Sequence, residues 1–250
     1  MQQKKSLTGK VAWITGAGTG IGAASAASLG DAGAHIVLSG RRKEPLDQVV
    51  ETIMSAGGTA EAAPLDVADA ATTQAIADDI ADRLGGVDIF MANAGLNVPN
   101  RRTDALTPET FDMVIDINLK GVMYGILAVL PHMRPKGAGT IIINSSWAGR
   151  FPSGRSGTAY SAAKHALTAL SHSINMENGM HGIRCCLLMP GGTNTPIHQA
   201  RPNPPTPESL ANLLQPDDLG ALVRYIAEAP PHVCFNEIVI APTKNPTIAI

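Results

Sequence analysis

The chain has 250 residues, of which 44% are hydrophobic and 16% charged, and its formal net charge is -2. This length and composition allow a large buried core and argue against an intrinsically disordered protein. The near balance of 19 basic and 21 acidic residues indicates neither a nucleic-acid footprint nor a surface for anionic membranes. Three cysteines without metal-ligand spacing, and no long uninterrupted apolar stretch, favour a metal-free, soluble protein of the cytoplasm with reduced thiols.

Short apolar stretches alternate with amphipathic stretches of ten or more residues. Residues 11–14 predict a strand, followed by a glycine turn and a helix to about residue 29. Strands separated by such helices pair in parallel through right-handed crossovers. We therefore expect an α/β protein, with one Rossmann-type doubly wound domain over residues 1–250 and a parallel sheet of about seven strands flanked by helices. The other predicted strands are 35–39, 60–64, 87–92, 140–144, 183–189 and 237–240; the other predicted helices are 43–56, 70–84, 108–130 (ended by Pro131), the helix of Tyr160 to about 179, and 217–229.

The turn after the first predicted strand is rich in glycine. Glycines at a strand-to-helix turn let the backbone approach a pyrophosphate, and the free amides of the helix N-terminus favour its negative charge. Taken alone, such a turn is also compatible with a purely structural role. The positions expected to contact a dinucleotide are Gly16, Gly18, Thr19, Gly20, Ile21 and Gly22.

Tyr160 and Lys164 lie four residues apart in a predicted helix, so both side chains project from one face. A free phenol is a weak acid and a weak base at neutral pH, but a neighbouring cation favours the phenolate. A tyrosine placed in this way can exchange a proton with an alcohol or a ketone. The pair alone is equally compatible with a core aromatic residue and a solvated lysine.

Five motifs in order and spacing resemble those of the short-chain dehydrogenase/reductase family, over about residues 7–240. The resemblance implies a single Rossmann-type domain that transfers a hydride between a nicotinamide dinucleotide and an alcohol or carbonyl group. The motifs are the glycine turn, Asn93-Ala94-Gly95, Ser146, the pair Tyr160 and Lys164, and Pro190-Gly191.

The resemblance also implies the catalytic roles. Tyr160 is the expected acid/base, and Lys164 favours its phenolate and hydrogen-bonds the nicotinamide ribose. Ser145 and Ser146 compete as the serine that polarises the substrate oxygen; Ser146 is preferred because two residues and a glycine follow it, although it lies one residue farther from Tyr160 than is commonest in the family. The fourth residue is Asn118, which we expect to disturb its helix and to hold a water that links Lys164 to solvent.

The choice of cofactor depends on the end of the second strand. An acidic residue there would favour NAD(H), but this chain has Arg41 and Arg42, and two guanidiniums without a carboxylate favour NADP(H). Thr19 argues for NAD(H), because many NADP-preferring relatives have a basic residue at that position. The further cofactor contacts that the resemblance implies are Asp66, Val67, Asn93, Ala94, Gly95, Tyr160, Lys164, Pro190, Gly191, Thr193 and Thr195.

An apolar pocket is expected beside the catalytic residues. Trp147, Phe151 and Met189 are expected to line it, and the proline-rich residues 196–216 to cover it as an insertion. Such walls suit a small-to-medium alcohol or ketone.

Three arginines lie in the neighbouring loops and leave two interpretations open. Arg101, Arg102 and Arg155 are either partners of an anionic group such as a carboxylate or exposed residues that only aid solubility.

Two alternatives to an NADP(H)-dependent oxidoreductase remain. Residues 236–243 resemble the branch that includes bacterial 3-hydroxy acid dehydrogenases and related NADP-dependent carbonyl reductases. One alternative is an NAD-dependent alcohol or 3-hydroxy acid dehydrogenase, and the other is a catalytically silent member that binds the cofactor. The expected partners are a small-molecule substrate and further copies of the chain. The resemblance implies a homotetramer or dimer, to which the apolar residues 248–250 could contribute.

Overall fold

The computed structural model describes residues 5–152, 154–196 and 206–244. Within these residues, seven strands pair in parallel to form one sheet. The strands are β1 (Val11–Thr15), β2 (His35–Ser39), β3 (Thr59–Ala62), β4 (Ile89–Ala92), β5 (Gly139–Asn144), β6 (Ile183–Pro190) and β7 (Glu237–Ile240). Their order is β3-β2-β1-β4-β5-β6-β7. The direction of winding reverses between β1 and β4, and the carboxyl ends of these two strands therefore border a ligand-binding crevice.

Helices cover both faces of the sheet and close two apolar cores. Residues of α3, α5 and α6 pack on one face, and residues of α1, α2 and α8 pack on the other. The first core contains the fully buried rings of Trp13 and Phe90, whose centroids lie 5.1 Å apart. The helices are α1 (Gly20–Asp31), α2 (Lys43–Ser55), α3 (Ala70–Leu84), α4 (Pro108–Ile115), α5 (Gly121–Lys136), α6 (Thr158–Asn178), α7 (Pro207–Ala211) and α8 (Pro216–Glu228).

The predicted α/β fold with a parallel sheet of about seven strands is confirmed. Helix α3 has the predicted bounds, and local chemistry explains them. The side chain of Asp69 accepts hydrogen bonds from the first amides of the helix, and Gly85 ends it with φ of 78°, which glycine adopts without strain.

The predicted end of a helix at Pro131 is wrong. The helix that begins at Pro108 passes through a π-helical turn, Asp116–Lys120, and continues as α5 through Pro131 to Lys136. A proline removes one hydrogen bond and bends a helix, but Leu130 and Met133 on either side of it are buried in the first core. Their packing holds the helix together beyond the proline.

The continuous helical segment Pro108–Lys136 is, by length and composition, apolar enough to cross a membrane. Half of its most apolar window is buried inside the domain, which is typical of the core helix of a soluble protein. The exposed apolar side chains of this segment include Phe111, Met113 and Leu127.

The predicted insertion at residues 196–216 is described only in part, because residues 197–205 lie outside the described residues, as does the apolar tail at 248–250. The described portion contains α7, and its far end is bound to the loop after β6. Leu214 forms a bridge with Thr193, and its amide donates to the carbonyl oxygen of Gly192 at 3.0 Å. The side-chain amide of Asn194 also donates to Gln215 at 3.0 Å.

Candidate active site

The glycine turn packs against the ends of β1 and β4. Gly16 has φ of 64°, and a Cβ there would lie 2.8 Å from the Cα of Ala94. A Cβ at Gly22 would lie 2.4 Å from the carbonyl oxygen of Gly16. Because Thr19 caps α1 without a side-chain hydrogen bond, the first amides of the helix remain open to a ligand. The other predicted positions, Gly18, Gly20 and Ile21, lie in this same turn and at the start of α1.

Asn93 joins the ends of three strands. Its side-chain amide donates to the carbonyl oxygens of Thr15 at 2.9 Å and Gly16 at 3.0 Å, and its side-chain oxygen accepts from Asn144 at 2.8 Å. Through these hydrogen bonds, the side chain of Asn93 holds the glycine turn against β4 and β5. Asn93 therefore shapes the crevice, as expected from its position in the motif.

The end of β2 carries two exposed cations. Arg41 and Arg42 are exposed, and in the part of the chain that the structure describes neither forms an ion pair. Asp66, also exposed, accepts a hydrogen bond from its own loop, at the Ala68 amide. The side chain of Val67 instead packs in the first core. A ligand can therefore contact only the backbone of Val67 and the small part of its surface that is exposed.

Lys164 is an almost fully buried cation, only 2% exposed. Its Nζ donates to the backbone oxygen of Asn144 at 2.9 Å and lies 5.6 Å from the centroid of the Tyr160 ring. Burial lowers the pKa of Lys164 to about 8. An ammonium group in such a low-dielectric setting acts strongly on a nearby phenol.

The two candidate serines have different surroundings. The hydroxyl of Ser145 is buried and donates to the backbone oxygen of Lys164 at 3.1 Å. The Oγ of Ser146 accepts a hydrogen bond from the Ala148 amide at 3.2 Å, which leaves its proton to donate, and Ser146 is only half-buried. Ser145 therefore binds the sheet to α6, and Ser146 is the serine available to a substrate oxygen.

Asn118 lies in the π-helical turn and is fully buried, so the predicted disturbance of the helix is found at this residue. Its side-chain amide donates to the carbonyl oxygens of Leu96 and Val114, each at 2.9 Å. Its Oδ1 has no hydrogen-bond partner among the described residues. A Cβ at Gly95 would lie 2.9 Å from this Oδ1 and 3.7 Å from Nζ of Lys164, so glycine leaves a gap between the two groups.

Of the three predicted pocket residues, two form an aromatic pair. The rings of Trp147 and Phe151 lie 4.6 Å apart directly after Ser146. The prediction for Met189 is wrong. Its side chain is fully buried in the first core with Cys185 and Leu187, because alternate residues of β6 point to that face of the sheet.

The loop after Pro190, the last residue of β6, approaches the glycine turn. A Cβ at Gly20 would lie 3.1 Å from the methyl group of Thr195. The hydroxyl of Thr193 is buried and donates to the Gly191 carbonyl oxygen at 3.2 Å. The two loops thus border the same crevice from opposite sides.

Asn144 is a site residue that the sequence analysis missed. Its carbonyl oxygen binds Lys164, and its side-chain amide binds Asn93. The available signal was its position as the last residue of β5, directly before the two serines. Lys164 donates its hydrogen bond to the backbone carbonyl group of Asn144, a group that every residue has. The sequence alone therefore could not reveal that contact.

Comparisons with known proteins identify the family of this chain. The sequence model of the short chain dehydrogenase family matches residues 10–205. The chain therefore belongs to the short-chain dehydrogenase/reductase family, and it is an NAD(P)-dependent dehydrogenase/reductase.

Similar proteins span nearly the whole chain. An uncharacterized oxidoreductase of Listeria innocua is 35% identical, over 96% of this chain and 99% of its own. The crystal structure of a metagenomic short-chain oxidoreductase in complex with NADP is 32% identical with a TM-score of 0.83, over 96% of this chain and 100% of its own. The alcohol dehydrogenase of the archaeon Thermococcus sibiricus, complexed with 5-hydroxy-NADP, is 28% identical with a TM-score of 0.84, over 94% and 97%.

Proposed function

We propose that this protein transfers a hydride between NADP(H) and a small-to-medium alcohol or ketone. The observation that carries the proposal is the buried ammonium group of Lys164, which lies 5.6 Å from the ring centroid of Tyr160. A buried cation is costly, and this one has no carboxylate partner among the described residues. Its position is explained if it acts on the phenol and on a ligand bound beside it.

The residues of the crevice fit a nicotinamide dinucleotide. At Gly16 and Gly22 a Cβ would collide with backbone atoms, and the open amides at the start of α1 suit a pyrophosphate. When bound, the nicotinamide supplies the hydride to a carbonyl carbon, or accepts it from an alcohol. The residues of the chain orient the substrate and move the proton.

In the reducing direction, the Ser146 hydroxyl donates a hydrogen bond to the carbonyl oxygen and stabilises the charge that develops there. Tyr160 gives its proton to that oxygen as the hydride reaches the carbon. The ammonium group of Lys164 stabilises the resulting phenolate. A water in the gap between Asn118 and Lys164 would return a proton from solvent, and the Oδ1 of Asn118, which has no partner among the described residues, supports this route.

Two observations support a preference for NADP(H). Arg41 and Arg42 are exposed at the end of β2 and unpaired among the described residues, so they are available to a 2′-phosphate. Two structural relatives were solved with NADP or a modified NADP bound. The aromatic pair Trp147 and Phe151 supports a partly apolar substrate.

A panel of alcohols and ketones, followed at the nicotinamide absorbance with both cofactors, tests this function. We expect turnover of at least one carbonyl compound, with a higher kcat/KM for NADPH than for NADH. A higher value with NADH would favour the NAD-dependent alternative. The protein could also bind the cofactor and turn over no compound, while being as stable to unfolding as an active relative. That result would favour the catalytically silent alternative.

We also propose a cytoplasmic homodimer or homotetramer. The exposed apolar side chains Phe111, Met113 and Leu127 on the segment Pro108–Lys136 support burial against a second copy. Light scattering of the purified protein should give a mass of two or four chains. A monomer at micromolar concentration would contradict this proposal without affecting the proposed reaction.

A further inference from the structure

Arg101 is held in a fixed orientation by two backbone oxygens. Its Nε donates to the carbonyl oxygen of Val98 at 2.9 Å, and its Nη1 donates to the carbonyl oxygen of Arg155 at 3.0 Å. Its stem packs on Gly157, where a Cβ would lie 2.5 Å from the Cβ of Arg101. A guanidinium has five N–H donors, so three of them remain for another partner.

The charge of Arg101 is not balanced by any carboxylate among the described residues. Arg101 is half-buried, and burial lowers the pKa of its guanidinium below the ordinary value. Within residues 5–152, 154–196 and 206–244 it has no carboxylate partner. Its neighbour Arg102, by contrast, is 80% exposed and pairs with Asp104 at 3.2 Å. Partly buried cations are normally paired, so Arg101 is suited to an anion other than those that the described residues provide.

Arg101 lines a cleft of about 660 Å³ at the first turn of α6, the turn that carries Tyr160. Thr158 and Ser161, on either side of Tyr160 in the first turn of α6, line the same cleft. The backbone oxygen of Arg101 also accepts a hydrogen bond at 3.3 Å from the amide of Thr158, so Arg101 lies against the turn of α6 that carries Tyr160.

Two further features of this cleft favour an anion. The N-terminus of α6, a helix of 21 residues, has no side-chain cap and adds the positive end of a helix dipole. The hydroxyl of Ser161 is buried and has no hydrogen-bond partner in the described part of the chain, so a donor remains unused at the same place.

We propose that Arg101 binds a carboxylate of the substrate, so that the preferred substrates are oxo acids and hydroxy acids rather than neutral ketones and alcohols. This inference rests on the proposed function, and it names the substrate class of the same site. The reaction itself is unchanged: hydride and proton pass to the carbonyl group, and the carboxylate stays ionised on Arg101.

The chain offers two matched controls. Arg102 lines the same cleft but is already paired, so Arg102→Gln removes a cation without removing the proposed contact. Asn97 donates to the Ser156 carbonyl oxygen at 2.8 Å and joins the same two loops as Arg101. Asn97→Ala therefore loosens those loops without changing the charge of the cleft.

The test compares 2-, 3-, 4- and 5-oxo acids with their methyl esters at saturating NADPH. The native enzyme should prefer the acid at the best chain length. Arg101→Gln should lower kcat/KM for that acid roughly 10- to 100-fold, as expected for a lost charge-assisted hydrogen bond, and lower the value for the ester no more than Asn97→Ala does. Arg102→Gln should leave both values unchanged, and Asn97→Ala should lower both in proportion. Equal losses on acid and ester in Arg101→Gln, or a native preference for esters, would overturn the inference.

A binding measurement separates this inference from the proposed function. Turnover of neutral ketones alone would overturn only the carboxylate site, and turnover of nothing would overturn the proposed function. If nothing is turned over, calorimetric titration of butanoate into the complex with NADP⁺ tests whether the carboxylate site at Arg101 exists. Binding that is weakened in Arg101→Gln and retained in Arg102→Gln supports it, and no binding to the native protein refutes it.

Discussion

Lys164 donates a 2.9 Å hydrogen bond to the backbone oxygen of Asn144, the last residue of β5. This contact ties a side chain of α6 to the carboxyl end of the sheet, where the glycine turn and the two serines also lie. The ammonium group is almost completely shielded from water. We expect the fold to be less stable because of this charge and the reaction to depend on it.

The first prediction concerns stability. Burial lowers the pKa of Lys164 from 10.5 to about 8, and one pKa unit corresponds to about 1.4 kcal/mol. Lys164→Met should therefore raise the free energy of unfolding of the cofactor-free protein by roughly 1–3 kcal/mol at pH 7, after allowance for the lost hydrogen bond. Urea unfolding measures this change. If Lys164→Met is instead less stable than the native protein, the prediction is wrong, and the buried charge of Lys164 is compensated by its surroundings.

The second prediction is a pH dependence. Because the folded pKa of Lys164 is lower than the unfolded value, the unfolded chain binds more protons between about pH 8 and 10.5, and stability rises with pH in that window. The cost of the buried charge is fully present below pH 8. The stability advantage of Lys164→Met over the native protein should therefore shrink between pH 8 and 10.5. An advantage that is constant over this window would contradict the lowered pKa.

The third prediction concerns the gap between Asn118 and Lys164. In Gly95→Ala, the new methyl group would lie 2.9 Å from Oδ1 of Asn118 and occupy the space assigned to a water. We expect kcat to fall by about tenfold or more, because proton return to Tyr160 becomes slower. Gly179→Ala is the control, since a Cβ there meets no atom within 4 Å. Equal activity of the two variants would exclude the proposed water route.

The fourth prediction concerns the cofactor. Replacement of both Arg41 and Arg42 by alanine should lower kcat/KM for NADPH by roughly 10- to 100-fold, because a phosphate loses charge-assisted hydrogen bonds, and leave the value for NADH within about threefold. Lys43→Ala is the matched control, because that nearby cation is already paired with Asp47 at 2.6 Å. If both cofactors lose efficiency equally, these arginines do not recognise the 2′-phosphate.

The sequence predicted the parts of the fold and site that depend on local chemistry. The bounds of α3 follow from its cap at Asp69 and from Gly85, and the alternation of strands and helices sufficed for the sheet. The helix that continues past Pro131 was not predictable in this way, since tertiary packing of Leu130 and Met133 overcomes the local effect of the proline. Tertiary packing also determines that the side chain of Met189 points into the first core and not toward the predicted pocket.

The candidate site shows the same division. Tyr160 and Lys164 could be proposed from the sequence because their side chains and spacing carry the chemistry. The choice between Ser145 and Ser146 rested on a motif alone, and it is now supported by the hydrogen bond from Ser145 to α6. Contacts through backbone carbonyl groups, such as those that hold Arg101, leave no pattern in the sequence.

The most direct test of the central claim is the rate of Tyr160→Phe with the best carbonyl substrate and NADPH. This variant keeps the aromatic ring beside Lys164 and removes only the hydroxyl group. We predict that kcat falls by roughly 10²- to 10⁴-fold, the usual contribution of a general acid, while NADPH binds with an affinity within about threefold of the native value. A variant that turns over substrate at the native rate would contradict the assignment of Tyr160 as the proton donor.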